Sequence, residues 1–468
     1  MTTTNQETPI KKIFYKALRF MLIADIVQSM QEMMLDFFIS RHLGSNGLAA
    51  FGITYPLITF IMALMAWVVA GVQAICARDI GDNDNVNAHM HLCTGLTWGV
   101  IIMLVFTLLC WAFHYPLITA LGATDEYAYL RNASTDALLV GSLTGPFLCT
   151  LVILLTNLFF NEKRKFTVVL GLSTIFVQFI ITAIISGIYP TMAGIWGGYV
   201  ISLAVSDAII LVTLRICCKN KTSMFYHIRP MFRFDGVSAS LKIGLPELLC
   251  WGYFILSAAL RNGIILRISN EDALAAVTLS DGAEFGELLQ TAAFYAVLVT
   301  IGMAVGSKDR EKYRIYVSSV AKSILKIALI GGITMMLIAW PILNLFIEEG
   351  ESQAVFDIAL KILIIYGFNF IFYLLNNMFS SLYEAIGLIK YAHLNYILEV
   401  VLYSMLMLVL GYNIGIDAFW FAQPLAEILV LFFNLGLAWR SCGHFPRSFT
   451  DLSFDKALSE SWGFSTLR

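Results

Sequence analysis

The chain has 468 residues, of which 59% are hydrophobic and 13% are charged. Soluble domains carry about 25% charged residues, so this composition excludes an ordinary water-soluble fold. The formal net charge is −2, from 30 Lys and Arg against 32 Asp and Glu, which argues against nucleic acid as a partner. Because a helix needs about 20 apolar residues to cross a bilayer, we expect an all-α polytopic membrane protein.

Apolar runs separated by polar segments predict twelve membrane-spanning helices. The spans are 14–40, 48–77, 92–121, 137–160, 168–189, 194–215, 243–266, 274–305, 317–346, 358–382, 394–410 and 419–437. The largest polar interruption follows span six and divides the chain into two halves of six spans each. We therefore predict an N-terminal tail, an N-terminal lobe, a linker, a C-terminal lobe and a C-terminal tail at residues 1–13, 14–216, 217–240, 241–440 and 441–468.

The two halves contain matching motifs at nearly the same offset, 226 residues for the first and 225 for the other two. LAA at 48–50 recurs at 274–276, IGDND at 80–84 recurs as VGSKD at 305–309, and YPLI at 115–118 recurs as WPIL at 340–343. An even number of spans in each half makes the repeats parallel. Parallel repeats are an architecture of transporters that bind their substrate between the two halves.

Basic residues concentrate on one side of the predicted spans. With the N-terminus in the cytoplasm, 23 Lys and Arg fall on the cytoplasmic side, 4 on the outer side and 3 within spans. By the positive-inside rule, this distribution predicts that both termini are cytoplasmic. We expect a multi-pass protein of the plasma (inner) membrane.

The first span carries polar side chains on one helical face. Within an arc of about 60°, at 100° per residue, lie Asp25, Ser29, Glu32 and Asp36, with Gln28 beside them. A charge at the bilayer centre costs at least about 2.5 kcal/mol, so such residues are expected to face protein or water. We interpret this stripe as the lining of a cavity. The alternative is that Asp25 and Asp36 lie at the two membrane interfaces.

The eighth span carries a second group of acids, Asp281, Glu284 and Glu287. The register of the repeat places them inside the span rather than in a loop, so they are candidates for the cavity. Arg261 in span seven can pair with one of these acids. A structural ion pair within the membrane is therefore the alternative to a role in transport.

Other polar side chains within spans occur in pairs or alone. Gln178 and Thr182 share a face of span five, and Tyr373 and Asn376 share a face of span ten, so these four are further cavity candidates. A hydrogen bond between helices is the simpler explanation for each of them. The same explanation applies to the single acids Asp207, Glu247, Glu399 and Glu427.

At this point the sequence resembles the multidrug and toxic compound extrusion (MATE) family, over about residues 16–440. The resemblance is carried by DFFISRHLG at 36–44, LAAFG at 48–52, ARDIG at 77–81, GIWGG at 194–198 and IGLP at 243–246. It implies two pseudo-symmetric six-helix lobes in a V, alternating access, and a monomer. It also implies export of cationic or aromatic compounds, driven by protons or sodium. Asp36 matches a first-helix aspartate that takes part in ion coupling in this family.

We therefore expect an efflux antiporter for organic cations or other amphiphilic, drug-like compounds. Asp36 and Glu32, with Asp25 on the same face, would bind a proton or sodium ion in alternation with the substrate, and no other cofactor is expected. A lipid-linked oligosaccharide flippase is the first alternative, although its basic cavity would differ from the acidic spans here. An intramembrane enzyme is disfavoured because the sequence lacks HExxH and GxSxG motifs, so we assign no catalytic or metal-binding residues.

Overall fold

The chain is almost entirely α-helical in a computed structural model. The structure describes residues 3–121, 128–160, 164–269, 273, 276–277, 279–281, 286–346 and 353–442. Within these ranges the helices are α1 (Thr3–Gly81), α2 (Asn85–Ala112), α3 (His114–Ala120), α4 (Ala128–Gly141), α5 (Thr144–Asn157), α6 (Arg164–Ile188), α7 (Met192–Cys217), α8 (Phe234–Ile268), α9 (Gly286–Gly306), α10 (Arg310–Phe346), α11 (Gln353–Ile386), α12 (Ile389–Asn413), α13 (Ile416–Phe419) and α14 (Ala422–Cys442). No β-strand occurs in this part of the chain, in agreement with the predicted all-α class.

Many of these helices can span a bilayer. In the described ranges nine are long and apolar enough to cross a membrane, and ten if one bent pair counts as a single span. Each of the twelve predicted spans overlaps a described helix. Large apolar side chains such as Phe176, Leu337 and Phe432 are exposed. A hydrocarbon solvent accommodates such side chains, and helices satisfy their own backbone hydrogen bonds there.

Spans one and two join into one long helix, α1, with a break at Gly44. The φ of 62° and ψ of −153° at this residue lie outside the helical region. This backbone conformation is essentially restricted to glycine, because a Cβ atom would clash with the adjacent peptide. The short polar segment between the two predicted spans is therefore a helix kink rather than an extended loop.

The described residues form two compact units. Residues 23–248 form one, called here the N-terminal unit, and residues 3–22 with those from 249 to 442 form the other, the C-terminal unit. The first turns of α8 thus belong to the N-terminal unit. This helix begins at Phe234, inside the segment predicted as a linker. The predicted span began later because Asp235, Ser238 and Lys242 interrupt the apolar pattern.

The internal repeat is visible in the helix boundaries. Helices α1 and α9 end at Gly81 and Gly306, and the helices that follow them begin at Asn85 and Arg310. Both pairs are separated by the same 225 residues as the IGDND and VGSKD motifs. The motif predicted from sequence therefore marks one structural turn that occurs twice.

The two copies of this turn share their backbone geometry and their helix cap. Asn83 and Lys308 have positive φ values of 60° and 52°, which reverse the chain between helices. The side chains of Asp84 and Asp309 each accept a hydrogen bond from the backbone N–H three residues later, at 3.0 and 3.1 Å. Such caps satisfy one of the N–H groups left unpaired at a helix N-terminus.

Span four is broken into α4 and α5, which meet at a bend of 42°. The sequence predicts one continuous span here, and Pro146 explains the difference. Proline lacks the N–H that would donate to the carbonyl four residues earlier, at Ser142. Thr107 on α2 donates its hydroxyl to that carbonyl at 2.8 Å instead. A neighbouring side chain thus supplies a hydrogen bond that the helix cannot make.

The second half of α1 packs closely against the start of α8 in the N-terminal unit. A Cβ atom added at Gly71 would lie 2.0 Å from the Ser240 carbonyl oxygen. One added at Gly244 would lie 1.9 Å from the Trp67 carbonyl oxygen. The Trp67 indole Nε1 donates to the Leu241 carbonyl at 2.6 Å. Small residues at this crossing bring the two backbones into contact, as is common where helices pack within membranes.

Candidate functional site

The acidic stripe predicted on the first span belongs to α1. The helix continues without a break from residue 3 to Gly44, so positions three, four and seven apart share one face. Asp25 is half-buried on this helix. The side chains of Gln28, Glu32 and Asp36 lie outside the described residues. Their role in the cavity stays a prediction.

Gln178 and Thr182 on α6 are fully buried in the N-terminal unit. The Gln178 amide donates to the Ser206 hydroxyl of α7 at 3.3 Å. The Gln178 Oε1, the Thr182 Oγ1 and the Asp207 Oδ1 are buried without a hydrogen-bond partner among the described residues. Buried polar groups ordinarily have partners. This α6–α7 region therefore offers hydrogen-bond acceptors inside an apolar unit.

Arg261 on α8 forms an ion pair with Asp281 in the C-terminal unit. The Arg261 Nη2 lies 2.5 Å from the Asp281 Oδ2. The Tyr366 hydroxyl of α11 donates to Asp281 at 3.0 Å and accepts from the Arg261 Nη1, 3.2 Å away. For this acid the structure thus shows the ion pair that the sequence allowed as an alternative. Glu284, in the same predicted group, lies outside the described residues.

We predict that D281N lowers the free energy of unfolding by about 1–3 kcal/mol, because it leaves the guanidinium uncompensated. This loss is smaller than the loss in free energy of unfolding that is typical of fully buried ion pairs, because the two side chains are 16% and 40% exposed. The variants D281N and R261Q and their double variant form a cycle that can be followed by thermal unfolding in detergent. The double variant should lose less stability than the sum of the single losses. Strict additivity would show that the pair contributes no coupling energy.

A buried network of amides connects three helices of the C-terminal unit. The Asn376 Nδ2 of α11 donates to the Glu427 Oε2 at 2.7 Å and to the Glu427 carbonyl at 2.8 Å. The Asn434 Nδ2 donates to the Oδ1 atoms of Asn376 and Asn395, at 3.2 and 2.6 Å. Asn395 in turn donates to the Ser380 hydroxyl at 2.6 Å. The network fixes which atoms Asn376 presents to the Glu427 carboxyl group.

A second carboxyl group lies beside this network. Glu399 on α12 is close enough to Glu427 for the two carboxyl groups to interact electrostatically. Tyr373 on α11 is within electrostatic range of both acids, of Glu287 on α9 and of Cys250 on α8. The structure therefore brings Tyr373 and Asn376 of span ten to a pair of acids on α12 and α14, and Glu287 of span eight lies within electrostatic range of Tyr373.

The sequence does not point to this acid pair as a unit. Glu399 and Glu427 each appear in it as a single acid within a span, for which a hydrogen bond between helices is the simpler explanation. No motif joins two residues on different helices, so their proximity depends on tertiary packing. The sequence feature that could have pointed to the pair is that both residues are ionisable and lie inside apolar spans. Among the described residues, no group of three or more His, Cys, Asp or Glu is placed to hold a metal ion.

Comparison with known families places these residues in context. The MatE family profile matches residues 21–184, which include the first-span stripe and the Gln178–Thr182 pair. The chain carries a MatE domain. This match confirms the resemblance to the MATE family that the sequence motifs predicted. No curated protein matches the chain.

Solved MATE structures share the fold over almost the whole chain. A MATE protein in complex with MaL6 has a TM-score of 0.82 at 16% identity, over 96% of this chain and 97% of that one. A MOP superfamily transporter from Pyrococcus furiosus, whose reversed pocket polarity suggests a different function, gives the same values. An outward-facing multidrug resistance MATE transporter gives a TM-score of 0.77 at 17% identity, over 96% and 97% of the two chains.

These likenesses confirm the predicted fold class, since MATE structures have twelve helices in two lobes. The MatE match over residues 21–184 and the apolar helices together support an integral, multi-pass membrane transporter rather than an enzyme. MATE transporters bind small molecules within the membrane. The buried polar groups on α6, α7, α11, α12 and α14 are therefore candidates for substrate or ion binding.

Proposed function

We propose that the chain is a secondary active antiporter that exports organic cations or amphiphilic, drug-like compounds in exchange for protons or sodium ions. It would work by alternating access in the plasma membrane, as a monomer with both termini in the cytoplasm. The MatE domain and the common fold with a multidrug resistance MATE transporter support this proposal. The positive-inside distribution of Lys and Arg supports the orientation.

The observation that carries the proposal is a set of carboxyl groups inside spans without basic partners. Asp207 and Glu427 are buried, and Glu399 lies beside Glu427. No Lys or Arg forms an ion pair with these acids in the part of the chain that the structure describes. A carboxylate in a low-dielectric site is stabilised by a cation or neutralised by a proton.

The same acidic character favours a cationic substrate. Carboxylates that line a cavity attract cations and repel anions, which argues against a flippase for pyrophosphate-linked lipids. In the proposed cycle, Asp36 and Glu32 bind the coupling ion and the substrate alternately. Ion binding removes the negative charge that holds the cationic substrate and thereby releases it on the outer side.

Transport by purified protein in proteoliposomes tests the proposal. We predict that a pH or sodium gradient drives flux of a fluorescent lipophilic cation. D36N should reduce this flux by about tenfold or more, because a lost charge interaction of about 1.4 kcal/mol already gives that factor. S29A is the matched control, since it removes a polar group but no charge from the same face of α1.

Two results would contradict the proposal. Dye flux that responds to neither gradient would exclude coupled antiport. Gradient-independent movement of a lipid-linked oligosaccharide, without dye flux, would favour the flippase. Wild-type flux in D36N would leave antiport intact and remove the stripe from the mechanism.

A further inference from the structure

We propose that Glu399 and Glu427 form a proton-binding site of the C-terminal unit, in which the two carboxyl groups hold one proton between them. Asn376 positions this site. The inference rests on the proposed function, because it names the coupling ion and a place where that ion binds. It is independent of the first-span stripe, which lies on α1.

Glu427 has one carboxyl oxygen that is hydrogen-bonded and one that is not, among the described residues. Its side chain is fully buried, and its Oε2 accepts the hydrogen bond from Asn376 at 2.7 Å. Its Oε1 is buried without a hydrogen-bond partner among the described residues. The second carboxyl group, that of Glu399, is next to it. The Glu427 Oε2 therefore accepts from the Asn376 amide, and the Glu427 Oε1 can share a proton with the neighbouring carboxyl group in apolar surroundings.

The charge of the surroundings also favours a proton. Tyr373 lies within electrostatic range of both acids, and Cys250 and Glu287 lie within range of Tyr373. None of these groups is basic, and no Lys or Arg interacts with the pair in the described ranges. Two adjacent carboxylates at low dielectric repel each other strongly. A bound proton removes this repulsion and leaves a single negative charge.

The hydrogen bonds around the pair favour a proton over a metal cation. Hard cations are held by about six oxygen ligands. Here Asn376 presents its N–H group to Glu427, while its own oxygen accepts from Asn434. The Asn395 oxygen also accepts from Asn434. The Asn376 amide thus directs a donor toward the carboxyl group, while the Asn376 and Asn395 oxygens are occupied by the Asn434 amide nitrogen. This arrangement suits a proton better than sodium.

The two repeats differ at the positions of the acid pair. Helices α6 and α12 end at Ile188 and Asn413, again 225 residues apart. In this register Glu399 and Glu427 correspond to Thr174 and Ser202. Both hydroxyl groups are fully buried and donate to a carbonyl of their own helix, each at 2.6 Å. The acid pair therefore replaces neutral, satisfied side chains and exists in one half of the repeat.

The variants E399Q and E427Q test the site in the full-length protein. The amide oxygen introduced by E427Q can still accept from Asn376, so we expect this variant to fold, and E399Q provides a second test if it does not. Proteoliposomes with a pH gradient should show dye flux in the wild type and a loss of about tenfold or more in both variants. Dye binding in detergent between about pH 5.5 and 8.5, a range that brackets neutral pH, should depend on pH in the wild type and lose that dependence in the variants.

T174A and S202A are the matched controls, because they change the corresponding positions of the N-terminal unit. They should retain wild-type flux and pH dependence. If E399Q and E427Q retain proton-driven flux within about twofold of the wild type, the proton site is wrong while the antiporter stands. Wild-type flux that follows sodium and ignores pH also overturns the site alone. A wild type that responds to neither gradient overturns the proposed function, and this inference with it.

Discussion

Replacing Gly244 with valine is expected to lower the free energy of unfolding by about 3 kcal/mol or more. A Cβ atom at this position would lie 1.9 Å from the Trp67 carbonyl oxygen and 2.9 Å from the Gly71 backbone nitrogen. Both are backbone atoms of a continuous helix, so neither can rotate away as a side chain can. The crossing of α1 and α8 must open to admit the new side chain, and the Trp67–Leu241 hydrogen bond is expected to break with it.

The thermal stability of purified G244V in detergent, together with its elution in size-exclusion chromatography, measures this effect. G252V is the matched control, because Gly252 lies on the same helix and has no heavy atom within 4 Å of an added Cβ. We expect the control to unfold close to the wild type. A G244V protein that unfolds within about 2 °C of G252V would show that the close approach of the two helices is wrong.

The second large effect is expected at Asp207. Replacing this buried acid with valine should raise the free energy of unfolding by about 1–3 kcal/mol, because an unpaired carboxyl group is removed from an apolar site. The same change should reduce coupled dye flux by about tenfold or more if the carboxyl group takes part in ion binding. A gain in stability with a loss of function is the signature of a residue retained for its chemistry.

D207N separates the two contributions, since it removes the charge and keeps the size and polarity of the side chain. We expect D207N to lose flux like D207V and to gain less stability, because its amide remains a buried polar group. Unfolding in detergent and flux in proteoliposomes are measured on the same preparations. A less stable D207V with unchanged flux would show that Asp207 is a structural residue.

Much of the fold could be predicted because the bilayer makes local sequence informative. Each apolar run must become a helix to satisfy its backbone, and the runs identify helices at all twelve places. The repeated motifs at 80–84 and 305–309 even locate a turn with the same φ signs and caps. The departures occur where one residue changes the backbone. At Gly44 the structure has one kinked helix where the sequence predicts two spans. Beside Pro146 it has two helices, joined at a bend, where the sequence predicts one continuous span.

The site could be predicted only in part, for a different reason. Helical periodicity relates residues on one helix, so it found Gln178 with Thr182 and Tyr373 with Asn376. It carries no information about which helices are neighbours. The approach of Glu399 to Glu427, and the choice of Asp281 as the partner of Arg261, depend on packing between elements distant in sequence. The polar and ionisable side chains identified these residues as candidates in the sequence. Only the tertiary structure shows which of them lie close together.

The start of α8 has a consequence for how the protein is made. Residues 234–248 belong to the unit formed by residues 23–217, although they follow the polar connection. While the ribosome is still synthesising α2 to α7, the Trp67 indole N–H has no Leu241 carbonyl to bind. Nor is the glycine surface of α1 yet covered. The N-terminal unit is therefore completed only when the first helix of the next half has been inserted, which makes assembly of the two halves successive but overlapping.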